Sequence, residues 1–468
     1  MPPQLQPGTI LKVERVPTGE CTVGDFVERR GSRHIYSVTC EGQPQHLVWN
    51  TDTTGVADAR TSKLREMVGG IPPSLGFLWP KGLVLSDGAS EIGFLGDPQP
   101  DTWCSLADVL CRRAPLSEGL RVAVGLELCS QWEVLHAARW RFLDFNPEDV
   151  LFHPKTGEVL HWVAESHVAG SESSESIPNP SRFTWPVVAQ GGESSGTRAD
   201  QHTLACVLFM LLVRRHPYEG SLWLRTHCLD RAKTKRVYWE EPRFMFGPGL
   251  EAHPLPPQID DEVAARWDAL PPHLRRLFQQ ALSTHQPTQS QRDVPLSEWR
   301  REMTLLQNSQ HVCVKCRSEL FFDHVAAGDR ELACPHCGSL LKALLVLKIG
   351  SALIVLHPDK RIHGRHLVPN SARAHSDPVR AQVTRHRNAP DRWGLKNLGE
   401  ASWKVMTPDG AELEVTTGKT VALTPGIRID FGNVIGLVDS AAAPSQAGTT
   451  RDQTGLSLPH GHPESPSI

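Results

Sequence analysis

Long apolar runs are what this chain most plainly lacks. No stretch of its 468 residues approaches the roughly 20 that a membrane-spanning helix needs, and the nearest, Leu344 to Leu356, is short and broken by Lys348 and Gly350. The opening MPPQLQPGTI has no basic stretch followed by an apolar one, so no secretory signal is expected. A charge excess is missing too. Lys and Arg total 49 against 52 Asp and Glu, a net charge of −3, so no whole-chain field draws the protein to nucleic acid or anionic lipid. What is present is a globular composition, 39% hydrophobic and 22% charged, enough to build cores for about three domains. The expectation is a cytoplasmic protein with no membrane partner and no nucleic acid.

Paired cysteines are scarce as well. Eleven is an odd number, and seven are scattered, at positions Cys21, Cys40, Cys104, Cys111, Cys129, Cys206 and Cys228. Isolated cysteines among apolar neighbours behave as small buried hydrophobes, and cytosolic thiols stay reduced. The remaining four, Cys313, Cys316, Cys334 and Cys337, form two CxxC pairs 17 residues apart. Each pair makes a tight knuckle that sends two thiolates to one point, and the intervening segment is long enough for a hairpin that brings the knuckles together. Four soft thiolates in closed tetrahedral array suit structural Zn²⁺ and leave no open position for catalysis. His336, inside the second pair, reads as a surface residue.

The pattern of periods divides the chain. VGDFVERR, HIYSVTC, HLVWN, LVLSDG and EIGFLG are short apolar or alternating runs set apart by turn residues, which predicts strands from residue 20 to about 100. From Cys104 helical spacing takes over in LADVLCRR and LRVAVGLELCSQWEVLHAA. PEDVLFHPKTGEVLHWV reads as a hairpin, SHVAGSESSESIPNPSR as an exposed loop, and ADQHTLACVLFMLLVRR as a helix too apolar for any surface. Weaker helices run on to LSEWRREMTLLQ. A second strand-rich region spans 343–439, and 440–468 is poor in bulky apolar residues, as a disordered tail is.

The segment LHAARWRFLDFNPEDVLFHPKTGEV resembles the catalytic-loop region of protein kinases, where a helix ending in Leu-His runs into His-Arg-Asp, then Asn and a hairpin. The likeness covers about 8–307 and implies a two-lobed kinase-like fold, with an N-lobe over about 8–95, a C-lobe over 98–307 and a nucleotide cleft between. It puts Asp144 at the catalytic-base position, Asp149 at that of the metal-binding Asn, Gly31 in the nucleotide-covering loop, and Glu66 at the helix glutamate that pairs with the phosphate-binding lysine. Asp200 falls on the buried Asp that opens the apolar helix. The chemistry is depleted. VERRGSRHIYSV keeps one glycine among arginines, and no lysine occurs between Lys12 and Lys63, so Trp49 or Asn50 stands where the strand lysine belongs. Val163 stands where an acid should hold magnesium. Each such loss costs about 10²–10³ in rate. Arg29, Arg30 and Arg33 are the groups that could contact phosphates from the loop instead.

Residues 308–342 resemble a zinc ribbon. Residues 343–439, through Trp393-Gly394-Leu395, Asn397-Leu398, the DG hairpin in TPDGAELEV and a closing LTPGIRIDFG, resemble a forkhead-associated (FHA) β-sandwich. In that family Gly364-Arg365 would place Arg365 on a phosphothreonine. The set resembles bacterial kinase-like proteins that accompany von Willebrand A-domain proteins and PP2C-type phosphatases. The resemblance implies a pseudokinase adaptor in phosphorylation-linked signalling, with other proteins, phosphoproteins among them, as partners. Two further readings stay open: an active atypical Ser/Thr kinase that uses Asp144 with ATP and Mg²⁺, and a non-catalytic phosphopeptide-binding protein.

Overall fold

Alternation of inward and outward residues shapes the first part of the chain. The computed structural model describes residues 5–14, 19–30, 33–50, 57–85, 92–143, 145–164, 167–170, 180–192, 197–220, 223, 230–247, 261–283, 294–321, 333–334, 336–340, 344–367 and 378–440. Strands β1 (Ile10–Glu14), β2 (Glu20–Arg30), β3 (Arg33–Cys40) and β4 (Gln43–Asn50) precede helix α1 (Ala57–Gly69), then β5 (Phe77–Leu78), β6 (Gly82–Leu85) and β7 (Ile92–Gly96). All but β5 close into a barrel in the order β1-β2-β3-β4-β7-β6. Its interior holds Leu11, Val13, Cys21, Val23, Tyr36, Val38, Cys40, Leu47, Trp49, Val84 and Leu95. The opposite faces of β3, β4, β6 and β7 put Ile35, Val48, Leu83 and Phe94 with Leu64 of α1 and with Trp162. Glu41 and Gly42, at φ 50° and 73°, make the left-handed two-residue turn that a right-twisted hairpin requires between β3 and β4.

Next come β8 (Cys104–Ser105), α2 (Leu106–Leu110) and α3 (Glu118–Ala137), followed by β9 (Trp140–Phe142), β10 (Val150–Phe152), β11 (Val159–Trp162) and β12 (Val168–Gly170). Helices α4 (Pro186–Ala189), α5 (Arg198–Val213), α6 (Arg231–Lys235), α7 (Asp261–Asp268), α8 (Pro272–Leu282) and α9 (Leu296–Asn308) complete this part. Helix α5 is the axis that its composition demands: from His202 to Val213 every residue is buried. Helices α3 and α9 pack so closely on it that a Cβ on Gly125 would lie 2.6 Å from Met303 Cε and 2.9 Å from Leu208 Cδ2. Strands β10 and β11 form the expected hairpin, and β5 runs parallel to β11, tying the end of the barrel segment to the helical part. Part of the segment read as an exposed loop behaves otherwise. Val168–Gly170 pairs with β9 and buries Val168 completely, because this short apolar triplet continues a small sheet over the core. Most of the rest of that loop lies outside the described residues.

A two-stranded ribbon, β13 (Gln310–Val312) with β14 (Glu319–Phe321), follows α9 directly. The last part contains β15 (Leu345–Ile349), β16 (Ala352–Val355), β17 (Arg361–His363), α10 (Gly364–Leu367), β18 (Val379–His386), β19 (Ala389–Asn397), β20 (Trp403–Met406), β21 (Glu412–Val415), β22 (Thr420–Ala422), β23 (Arg428–Asp430) and β24 (Ile435–Ser440). They make a six-stranded sheet, β16-β15-β24-β23-β20-β21, and a four-stranded one, β17-β18-β19-β22. Both sheets contribute to one apolar core: Leu347, Ile354, Val405 and Ile429 from the first, Ile362, Val383, Leu395 and Val421 from the second. The chain thus mixes helices with several separate sheets. Among the described residues no helix is long and apolar enough to cross a membrane.

Candidate functional site: an arginine–aspartate cluster and a four-cysteine cluster

Asp149 closes a short 3₁₀ turn, Pro147–Asp149, whose N-cap Asn146 accepts from Glu148 N at 3.1 Å and donates from Nδ2 to Asp149 Oδ2 at 3.2 Å. The turn therefore aims the Asp149 carboxylate toward the barrel. Arg30, at the end of β2, meets it there. Its Nη1 donates to Asp149 Oδ1 at 3.3 Å, Nη2 to Gln99 Oε1 at 2.6 Å, and Nε to Glu28 Oε1 at 2.8 Å. The guanidinium lies 5.2 Å from the centroid of Trp162, and that of Arg33 lies 5.7 Å from the same ring. Arg33 Nη1 also donates to His167 Nε2 at 2.9 Å.

Burial sets the charge states here. It raises the Asp149 carboxyl to about 6, against the pull of Arg30 and Arg33. It drives His167 well below its ordinary value, with Arg33, Arg30 and Lys63 adding to the effect and a backbone hydrogen bond to Trp162 opposing it. His167 is therefore neutral, and its Nε2 lone pair accepts from Arg33. The 3.6 Å approach of that nitrogen to Asp149 is accordingly not an ion pair. Two cations, from β2 and β3, thus act on one buried carboxyl.

Period two puts Trp49 inside the barrel and Asn50, 7% exposed, on the other face with Val48. Val163 is wholly buried in the apolar core of the helical part. Glu66 is exposed on α1. Asp144 and Gly31 lie outside the described residues. Asp200 sits in the first turn of α5, 2% exposed, and accepts from Phe142 N at 3.0 Å and from His136 Nε2 at 2.8 Å. It is an anchor between α3, β9 and α5.

The four cysteines converge as their spacing predicts. Their sulfurs all lie within 4.8 Å of one another, with Cys313–Cys337 at 3.8 Å and Cys316–Cys334 at 3.6 Å. Tetrahedral Zn²⁺ with bonds of about 2.3 Å sets sulfurs about 3.8 Å apart, so the donors fit the ion. The two knuckles are built alike. Cys313 N donates to Ser318 O and Arg317 N to Cys313 O; Cys334 N donates to Ser339 O and Gly338 N to Cys334 O. Both need a left-handed residue after the second cysteine, Arg317 at φ 64° and Gly338 at φ 65°. The N–H of Cys316 and the Ser339 hydroxyl hold the Cys313 thiol down at about 6, favouring the thiolate a metal requires. His336 is exposed.

Arg365 does not sit on an open face. It donates from Nη2 to Gln307 Oε1 at the end of α9, while Lys360 Nζ donates to Gln307 O. Two cations therefore meet the negative end of α9, where the helix dipole favours them. Burial lowers Lys360 to about 7 and Arg365 to about 10. Nothing local in the sequence distinguishes Lys360 from its exposed neighbour Arg361.

No family model and no curated protein matches the chain. Among solved structures the chain is similar to the autoinhibited serine kinase domain of the giant muscle protein titin, with 12% identity and a TM-score of 0.43, over 60% of this chain and 78% of that one.

Proposed function

We propose that this is a kinase-like protein that has given up phosphoryl transfer and works as a signalling adaptor. The Arg30–Asp149 contact carries the reading. Within a kinase-like frame Asp149 would help hold magnesium against ATP, yet here a guanidinium of the chain itself supplies the positive charge. The same side chain is fixed by Gln99, Glu28 and Trp162, so moving it would break several contacts at once. Asn50 has no charge to offer a phosphate, and Val163 has no oxygen to offer a metal. Phosphoryl transfer depends on those charges. The four-cysteine site takes structural Zn²⁺ in a zinc ribbon, and the sandwich serves protein recognition in the manner of an FHA-like domain, with phosphoproteins, a PP2C-type phosphatase or a von Willebrand A-domain protein as its candidate partners. Asp200, bonded to Phe142 and His136, supports the kinase-like frame without any catalytic duty.

The test uses the full chain with labelled ATP and Mg²⁺. No phosphate should be incorporated into the chain or a generic Ser/Thr substrate. Any nucleotide binding should be unchanged within about twofold by Mg²⁺, since the magnesium ligands are absent or occupied. Incorporation that disappears in Asp144→Ala would refute the adaptor reading and establish the active kinase.

A further inference from the structure

The barrel contains a second pair of thiols that the metal site does not use. Cys21 on β2 and Cys40 on β3 directly follow the partners Thr22 and Thr39 in the antiparallel register, so they stand opposite each other across the two strands. Inward alternation sends both side chains to the same side, into the barrel core beside Val23 and Val38. Each is 2% exposed, and the two thiols hydrogen-bond to each other. Opposed residues on antiparallel strands have Cα atoms about 4.5–5.5 Å apart, within the roughly 4.4–6.8 Å span that a disulfide bridges. Cys129 and Cys206 are just as buried, but in the helical core, where Cys206 Sγ lies 3.8 Å from His202 Nε2.

We infer that Cys21 and Cys40 form a reversible cross-strand disulfide under peroxide. One thiolate attacks the peroxide oxygen, breaking the O–O bond to give a sulfenic acid and water. The second thiol then attacks that sulfur, forming the S–S bond and releasing the sulfenic oxygen as a second water. Two thiols and one peroxide thus become one disulfide and two waters. Burial raises Cys21 to about 12 and also raises Cys40, keeping both protonated. Reaction therefore waits on local opening of the barrel, and the closed barrel afterwards shields the bond from reductant. The link would staple one end of the β2–β3 hairpin, whose other end carries Arg30 and Arg33 to Asp149 and His167.

Trypsin provides a clean readout, because Arg29, Arg30 and Arg33 lie between the two cysteines. The zinc-loaded full chain is held with hydrogen peroxide, alkylated in denaturant, digested without reduction and mapped by mass spectrometry. The expected product is one linked peptide pair, Cys21 to Cys40, lost on reduction and absent from Cys40→Ser, while Cys129 and Cys206 stay alkylated. Amide exchange at Val23 and Val38 should slow about tenfold in the linked form. Recovery of Cys21 and Cys40 as separate alkylated or over-oxidised residues overturns the inference. So does a link from either one to another cysteine.

Discussion

Stripping the metal from the four-cysteine site, or replacing Cys334 with serine, should unfold the ribbon and loosen its attachment to the helical part. The ribbon has little else to stand on. Its two strands are three residues each, and among their apolar residues Phe321 only packs at the margin of the main core. Structural Zn²⁺ supplies about 10–16 kcal/mol of apparent binding energy in comparable small sites, more than such a hairpin could gain from packing. The loss should spread along defined bonds. Glu319 Oε2 accepts from Gly119 N at 2.7 Å, capping the positive end of α3 with a carboxylate. On the other side α9 runs straight into β13, and the Gln307 carbonyl and amide oxygen that hold Lys360 and Arg365 lie three residues before it. The purified chain should carry about one zinc, and chelation should raise amide exchange over residues 310–321, then at Gly119 and the first turn of α3. Protein that lacks metal yet keeps those amides protected would sink the zinc assignment.

How much of this could be read beforehand depended on the range over which the evidence acts. The cysteine knuckles are local: C-V-K-C-R-S and C-P-H-C-G-S carry the whole hydrogen-bond pattern within six residues each, so their spacing alone led to the correct geometry. The strand runs of the barrel and the apolar helix α5 were legible because a period of two, or an absence of polar residues, persists over a full element. The arginine–aspartate cluster was not. Arg30 stood out as an arginine in place of a loop glycine, but its partner Asp149 lies 119 residues away, and nothing in VERRGSRHIYSV says which carboxylate it meets. Which of Trp49 and Asn50 faces the barrel interior became legible only once pairing with β7 fixed the register. Arg365 was expected on a phosphothreonine, and Lys360 carried no local signal at all. Their burial comes from docking on Gln307, more than 50 residues earlier in the chain.

Mild acid should destabilise the fold by several kcal/mol between about pH 7 and about pH 5, driven by histidines buried in neutral form. His161 is the simplest case. It lies between Phe77, stacked at 5.0 Å, and Phe142 and Trp132, and neither ring nitrogen has a partner. Burial alone lowers it to about 3. His202 and His357 fall to about 4, and His363 to about 3, each chiefly through burial. The sign follows from proton counting. Below the ordinary value near 6.5 the unfolded chain takes up a proton that the folded chain refuses, so stability is lost as pH falls from about 6.5 toward the folded values. One such histidine contributes about 1.4 kcal/mol per pH unit in that window, hence about 2 kcal/mol at pH 5. Asp149 works in the other direction. Its carboxyl, raised to about 6, takes up a proton in the folded state before the unfolded state does, and so offsets part of the loss below pH 6. The buried histidines outnumber it. His161→Leu isolates one of them, because any packing cost of the substitution is the same at both pH values and cancels in the comparison. Relative to the unsubstituted chain, the variant should gain about 2 kcal/mol on going from pH 7.5 to pH 5 in urea denaturation followed by tryptophan fluorescence. An equal offset at both pH values would mean that His161 takes up its proton in the folded protein as readily as in the unfolded chain, and would refute the prediction.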